Sequence, residues 1–189
     1  MYHTLKFLSV FMITLFLDYS CNRDNSMSDA KQIAEDHNNA KFVDKASRTD
    51  AQYLVDAYSA GLVAINLAQR AKDLAVTTEV KNLAETMITA HTNLNADIAV
   101  LAARKQISIP DALNNDQTNE ITSLCEKRGR DFDVAYTDKM MAAHKDAISL
   151  FEKASENATD KDIRDFFNTA LPEVRSHLDM TMNVKDALK

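Results

Sequence analysis

The chain has 189 residues, 46% of them hydrophobic, with 2 glycines, 2 prolines, no tryptophan and a net charge of −6. That length suits one domain with a real core, and so little Gly and Pro leaves few turns for β-hairpins, which points to long helices. No basic stripe, phosphate-binding glycine loop or RNA-binding signature is present, so nucleic acid is not an expected partner.

Met1 to Lys6 is a short, weakly basic start, and Phe7 to Leu17 is apolar apart from Ser9 and Thr14. This run is too short to span a bilayer as a helix, which takes about 20 residues. Its length and position match the apolar core of a signal peptide. Asp18-Tyr19-Ser20-Cys21 follows. A small residue directly before a cysteine at this point resembles the lipobox of bacterial lipoproteins, although Asp18 stands where an aliphatic residue is common. The resemblance implies that Cys21 is diacylated and becomes the first mature residue. An ordinary secreted protein cleaved nearby is the alternative. Asn22 is not the aspartate that retains many such lipoproteins in the inner membrane, so the expected address is the outer membrane, facing the periplasm, with cell-surface exposure left open. The expected organisation is residues 1–20 signal peptide, 21–28 lipidated cysteine and polar tether, and 29–189 a helical bundle.

Helical periodicity begins near Asp29, where Ile33, His37 and Ala40 share a face and Phe42 and Val43 follow. A long helix is predicted from about Ser47–Asp50 to Leu74, with the stripe Leu54, Ala57, Gly61, Ala64, Leu67, Ala68 and Ala71. Thr77 or Thr78 caps the next, whose stripe is Val80, Leu83, Met87, His91, Leu94, Ile98 and Leu101. Ile107 to Leu113, containing Pro110, turns the chain. Asn114 to Lys127 reads as helical, with Ile121, Leu124 and Cys125 inward, and Gly129 interrupts it. A third long helix carries Phe132, Met140, His144, Ile148 and Phe151. After a turn at Asn157–Asp160, a fourth carries Ile163, Phe166, Ala170, Val174, His177, Thr181 and Val184. Pro172 lies inside that helix and should kink or bulge it. Four long helices joined by short turns predict an all-α, antiparallel four-helix bundle with an extra short N-terminal helix. Met87-Ile-Thr-Ala-His91 is echoed by Met140-Met-Ala-Ala-His144.

His91, His144 and His177 fall on the inward faces of three different helices, with Glu173 one turn before His177. Measured from the one end expected to hold both the turn near Val76 and the turn near Ala158, all four residues lie roughly 21–29 Å away. Neutral imidazole ligates zinc, copper, iron or nickel, and three histidines with a water or carboxylate is a zinc geometry. Met87, Met140, Met141 and Met180 each sit three or four residues from one of these histidines, and thioethers suit copper(I). The same pattern also fits a hydrogen-bonded polar cluster with methionines as gap-fillers, and both readings stand at this point. A ferritin-type di-iron site is not expected. No Glu-x-x-His occurs, and the first long helix offers no inward carboxylate beside Ala57, Gly61, Ala64 and Ala68. Cys125 reads as a packed thiol, although Lys127 and Arg128 are nearby.

Ile33-Ala-Glu-Asp-His-Asn-Asn-Ala-Lys-Phe42, Asp50-Ala-Gln-Tyr-Leu-Val-Asp-Ala57, Gly61-Leu-Val-Ala-Ile-Asn-Leu-Ala68, Ile107-Ser-Ile-Pro110, Gly129-Arg-Asp-Phe-Asp133 with Tyr136, Leu150-Phe-Glu152 and Leu171-Pro172 with His177-Leu178 form a set. Over about residues 30 to 185 that set resembles the bacterial envelope family called domain of unknown function 4142, grouped with ferritin-like bundles. The resemblance implies a periplasm-facing, ferritin-like helical bundle with no proven catalytic residues. Many members of that family have Glu where Ala64 stands, and an acidic residue where Ala90 and Ala143 stand. The expected function is an exported, lipid-anchored, non-enzymatic envelope protein. It binds one zinc, copper or iron ion through His91, His144 and His177, with Glu173 as fourth ligand. The alternatives are a metal-dependent redox or detoxifying enzyme and a purely structural or partner-binding module. The lipid anchor makes the membrane the one expected partner.

Overall fold

The computed structural model describes residues 29–189; the signal peptide, Cys21 and tether expected from the sequence lie outside the described residues. The described residues form six helices and no strand: α1 (Ala30–Lys41), α2 (Lys45–Leu74), α3 (Thr78–Lys105), α4 (Asn115–Cys125), α5 (Gly129–Asn157) and α6 (Lys161–Ala187). The four long ones, α2, α3, α5 and α6, make an all-α bundle, with α1 and α4 packed on it.

The helix boundaries have local causes. Asp44 accepts a hydrogen bond from the Ser47 N–H and starts α2, slightly earlier than the sequence suggested. Asn114 and Gln117 form a reciprocal capping box at α4. Gln106 takes a left-handed conformation (φ 55°) that stops α3. Pro172 sits exposed inside α6, which runs continuously through it.

In α1 the buried face is Ala34 and Asn38, one position round from the expected one. Ile33 is 39% exposed, His37 and Ala40 are exposed, and Val43 is 91% exposed. The reason is a polar anchor. The Asn38 amide donates to the Ser108 carbonyl and accepts from the Ser108 N–H, both at 2.8 Å. This satisfies a loop backbone that would otherwise be buried without partners and turns α1 about its axis.

The two long hairpins, α2–α3 and α5–α6, are built alike. Leu74 and Asn157 end the first helix of each, and Thr78 and Lys161 begin the second, at a constant offset of 83 residues. Buried residues repeat at the same offset: Asp50 and Asp133, Tyr53 and Tyr136, Ala71 and Ala154, Ala75 and Ala158. The Met-x-x-x-His echo seen in the sequence does not follow this offset, because it pairs α3 with α5.

Each hairpin holds the other's turn. Asp133 on α5 accepts from the Val76 and Thr77 N–H groups at 3.1 and 2.9 Å. Asp50 on α2 accepts from the Thr159 and Asp160 N–H groups at 3.0 and 2.7 Å. These donors open α3 and α6, where unpaired N–H groups and the helix dipole favour an anion. The arrangement places the start of α5 beside the α2–α3 turn and the start of α2 beside the α5–α6 turn. The two turns therefore lie at opposite ends of the bundle, not at the one shared end expected from the sequence. Lys105 at the end of α3, paired with Asp160 and Asp162 at the start of α6, agrees with this direction. Asp50 is also an inward carboxylate on α2, against expectation, but it stands at the end of the bundle.

The reciprocal caps make a stability prediction. Asp50→Ala and Asp133→Ala each strand two backbone donors, and each should lower unfolding stability by about 2–3 kcal/mol. The double variant should lose close to the sum, because the sites are far apart. Urea unfolding curves test this; losses under about 0.5 kcal/mol would show that the turns are held by packing alone.

Candidate metal centre

The apolar core falls into two clusters. One includes Leu54, Ala57, Leu94, Ile98, Phe151, Phe167 and Val174. The other includes Ala64, Leu67, Met87, Phe132, Tyr136 and Met140. Along each helix His91, His144 and His177 lie where one cluster gives way to the other: His91 between Met87 and Leu94, His144 between Met140 and Phe151, His177 between Val174 and Met180. They form a buried polar layer across the middle of the bundle.

The three rings make a nearly equilateral triangle, with centroids 5.3, 5.3 and 5.5 Å apart. One nitrogen from each ring lies within 4.8 Å of the others. The closest pair, His91 Nε2 and His144 Nε2, is 3.3 Å apart. A tetrahedral ion with metal–nitrogen bonds of 2.0–2.1 Å requires nitrogens about 3.3–3.4 Å apart. The closest pair already has this spacing, and the third ring needs a shift on the order of 1 Å.

Hydrogen bonding sets the tautomers. His144 Nδ1–H donates to the Met140 carbonyl at 2.8 Å, so His144 Nε2 carries a lone pair facing the centre. Nδ1 of His91 and Nδ1 of His177 are buried with no protein hydrogen-bond partner. Burial holds the imidazoles in their neutral, ligating form. His91 is pushed down to about 3, by burial first and then by the neighbouring histidines. His144 is pushed down to about 4 by burial, against the opposing pull of the Met140 carbonyl. His177 is lowered by burial.

Glu173 stands apart from the triangle. Its side chain is 55% exposed, its Oε1 is 3.7 Å from His177 Nε2, and it lines a surface groove with Glu85, Thr89 and Asn93. Met87 and Met140 are fully buried among the apolar side chains of the second cluster. Cys125 is half-buried against that cluster, and burial pushes its thiol up despite Arg70 and Arg128. It is not an activated nucleophile.

The structure adds residues that periodicity did not single out. Asn95, one turn after His91, packs against Gly61, donates to the Tyr58 carbonyl at 3.1 Å and leaves Oδ1 without a partner. A Cβ on Gly61 would lie 2.0 Å from that oxygen, so only glycine lets α2 approach α3 here. The Tyr136 hydroxyl is buried without a partner, and burial raises its ionisation above the usual phenol range. An Asn or Tyr on a predicted inward face was the available signal for both.

These observations define an all-α bundle with a three-histidine layer at its centre. The family with the description "Domain of unknown function (DUF4142)" matches residues 35–184, and the chain belongs to that family. No curated protein matches the sequence. Among solved structures the chain is similar to a conserved hypothetical protein, rv2844, from Mycobacterium tuberculosis. The two share 17% identity and a TM-score of 0.58, over 76% of this chain and 94% of that one. At that identity the likeness speaks to the fold alone.

The neutral histidines make metal-free stability depend on pH. In the unfolded chain each takes up a proton near pH 6.5, and in the fold His91 and His144 do so only near pH 3 and 4. Their contribution is therefore complete above about pH 6.5 and is lost as the pH falls towards 4. Between pH 7 and pH 5 the loss should be on the order of 2 kcal/mol per histidine. Urea midpoints in chelator should drop over this range for the natural chain and much less for His91→Gln/His144→Gln. Equal drops would mean that the histidines take up protons in the fold over the same pH range as in the unfolded chain.

Proposed function

We propose that this protein is a lipid-anchored envelope protein whose bundle core binds one divalent first-row transition metal ion, zinc or copper, through His91, His144 and His177. The observation that carries the reading is the triangle of buried, neutral imidazoles, in which His91 Nε2 and His144 Nε2 already stand 3.3 Å apart. Three imidazole donors suit zinc and copper(II), and the methionines serve the core rather than the ion. Binding, not turnover, is the role proposed.

One observation favours a second reading. His91 Nε2, His144 and the Met140 carbonyl line up as a hydrogen-bonded chain at 3.3 and 2.8 Å, which suits a structural polar layer. Metal analysis separates the two readings. Residues 22–189, made without a histidine tag and purified without chelator, should carry about one zinc or copper per chain. His91→Ala/His144→Ala should carry none while staying folded by circular dichroism. A natural chain that binds neither added zinc nor added copper would leave the polar layer as the role of the histidines.

The proposed address rests on the sequence: the apolar Phe7–Leu17 run, then Ser20-Cys21. Among the described residues no helix is long and apolar enough to cross a membrane. The proposed attachment is the lipid on Cys21, in the outer membrane facing the periplasm. In cells fed a labelled fatty acid, the full chain should incorporate label and sediment with membranes. Cys21→Ser should lose both properties. A labelled Cys21→Ser protein, or an unlabelled natural one, would rule out this anchor.

A further inference from the structure

His91, His144 and His177 come from α3, α5 and α6, and the remaining long helix, α2, presents no donor at their level. It carries Ala57, Ala60, Gly61 and Ala64 there. Together with Ala143 and Ala147 of α5, these line a cavity of about 30 Å³ whose wall includes His91 and His144 but not His177 or Glu173. Gly61 occupies the position in the first hairpin that His144 occupies in the second, at the same offset of 83 residues. Asn95 fills the space a side chain at Gly61 would take, so the near-symmetric scaffold carries three imidazoles at this level and α2 borders the cavity with glycine and alanines. The cavity is more than a run of small residues. His91 and His144, both over nine-tenths buried, border it, and His91 Nδ1 has no protein partner.

Building on the metal reading above, we propose that the fourth coordination position of the ion opens into this cavity and takes a small monoanion of the class of azide, cyanide or hydroperoxide. Size, charge and wall chemistry each narrow the choice. The cavity has room for about two or three non-hydrogen atoms. Three neutral imidazoles leave the charge of a divalent ion uncompensated in a low-dielectric core, where an anion on the metal is strongly favoured. Among the described residues Glu173 is the one carboxylate within 4.0 Å of any histidine nitrogen, and it lies outside the cavity. Apart from the two histidines the walls are hydrocarbon, with no donor to hold an oxyanion such as sulfate or phosphate.

Cobalt(II) replaces zinc in three-histidine sites and reports its ligands through visible bands, so the probe is residues 22–189 loaded with cobalt and titrated with sodium azide. The bands should shift saturably at one azide per cobalt, and sulfate at the same ionic strength should leave them unchanged. Ala64→Leu and Ala147→Leu fill the cavity; at least one should still bind one cobalt per chain and lose azide affinity by tenfold or more. Glu173→Gln should bind cobalt and azide as the natural chain does. Bound cobalt that ignores azide, or cobalt bands altered by Glu173→Gln, would place the fourth ligand elsewhere and overturn the open position while leaving the metal reading intact. Failure to bind cobalt, zinc or copper at all would remove both.

Discussion

Two buried carboxylates govern the architecture. Asp133 reaches from α5 to the N–H groups that open α3, and Asp50 reaches from α2 to those that open α6. A carboxylate out of water is tolerated only where donors surround it, and a helix N-terminus supplies both donors and a favourable dipole. Because each cap joins one hairpin to the turn of the other, the hairpins must pack with their turns at opposite ends. Every long helix then runs antiparallel to its neighbours in the bundle, and positions near the middle of each helix meet at one level. The histidine layer is a consequence of that alignment.

The layer breaks a scaffold that is otherwise close to two-fold repeated. At the mid-level the second hairpin contributes His144 and His177, while the matching positions of the first are Gly61 and Leu94. His91 in turn matches Val174. Gly61 also lets Asn95 and the α2 backbone come together where a Cβ would clash. Three imidazoles without a fourth are therefore the outcome of a few differences between two similar hairpins. The frame supplies rigidity, since apolar clusters pack on both sides of the layer and hold the rings at fixed separations.

The charge balance of the layer follows from its burial. Imidazoles surrounded by hydrocarbon stay neutral, and the single nearby carboxylate stands half in solvent. Neutral rings repel one another little, so they can pack at centroid separations near 5.3 Å. They also retain the lone pairs that a cation would use. The same burial that makes the cluster costly as a charged assembly makes it chemically available as a neutral one.

The sequence by itself determined the helices, most of their inward stripes and the membership of His91, His144 and His177 in the core. Hydrophobic periodicity is a local property, set by residues three and four apart, and a long helix averages over many of them. It failed where one polar contact outweighed the pattern, as Asn38 does in turning α1 through its bond to Ser108. It missed the inward Asp50 and did not single out Asp133, because a carboxylate near a helix start reads as a solvated residue until the partner backbone is in place. Levelling the histidines from one shared end reached the right cluster through the wrong geometry, since mid-helix positions meet whichever end the turns occupy. Only the tertiary structure decided that the turns oppose each other, that Glu173 lies beside the triangle and not within it, and that Asn95 packs onto Gly61. These are matters of distance between segments far apart in sequence, which depend on how whole helices dock and not on what any stretch of chain prefers locally.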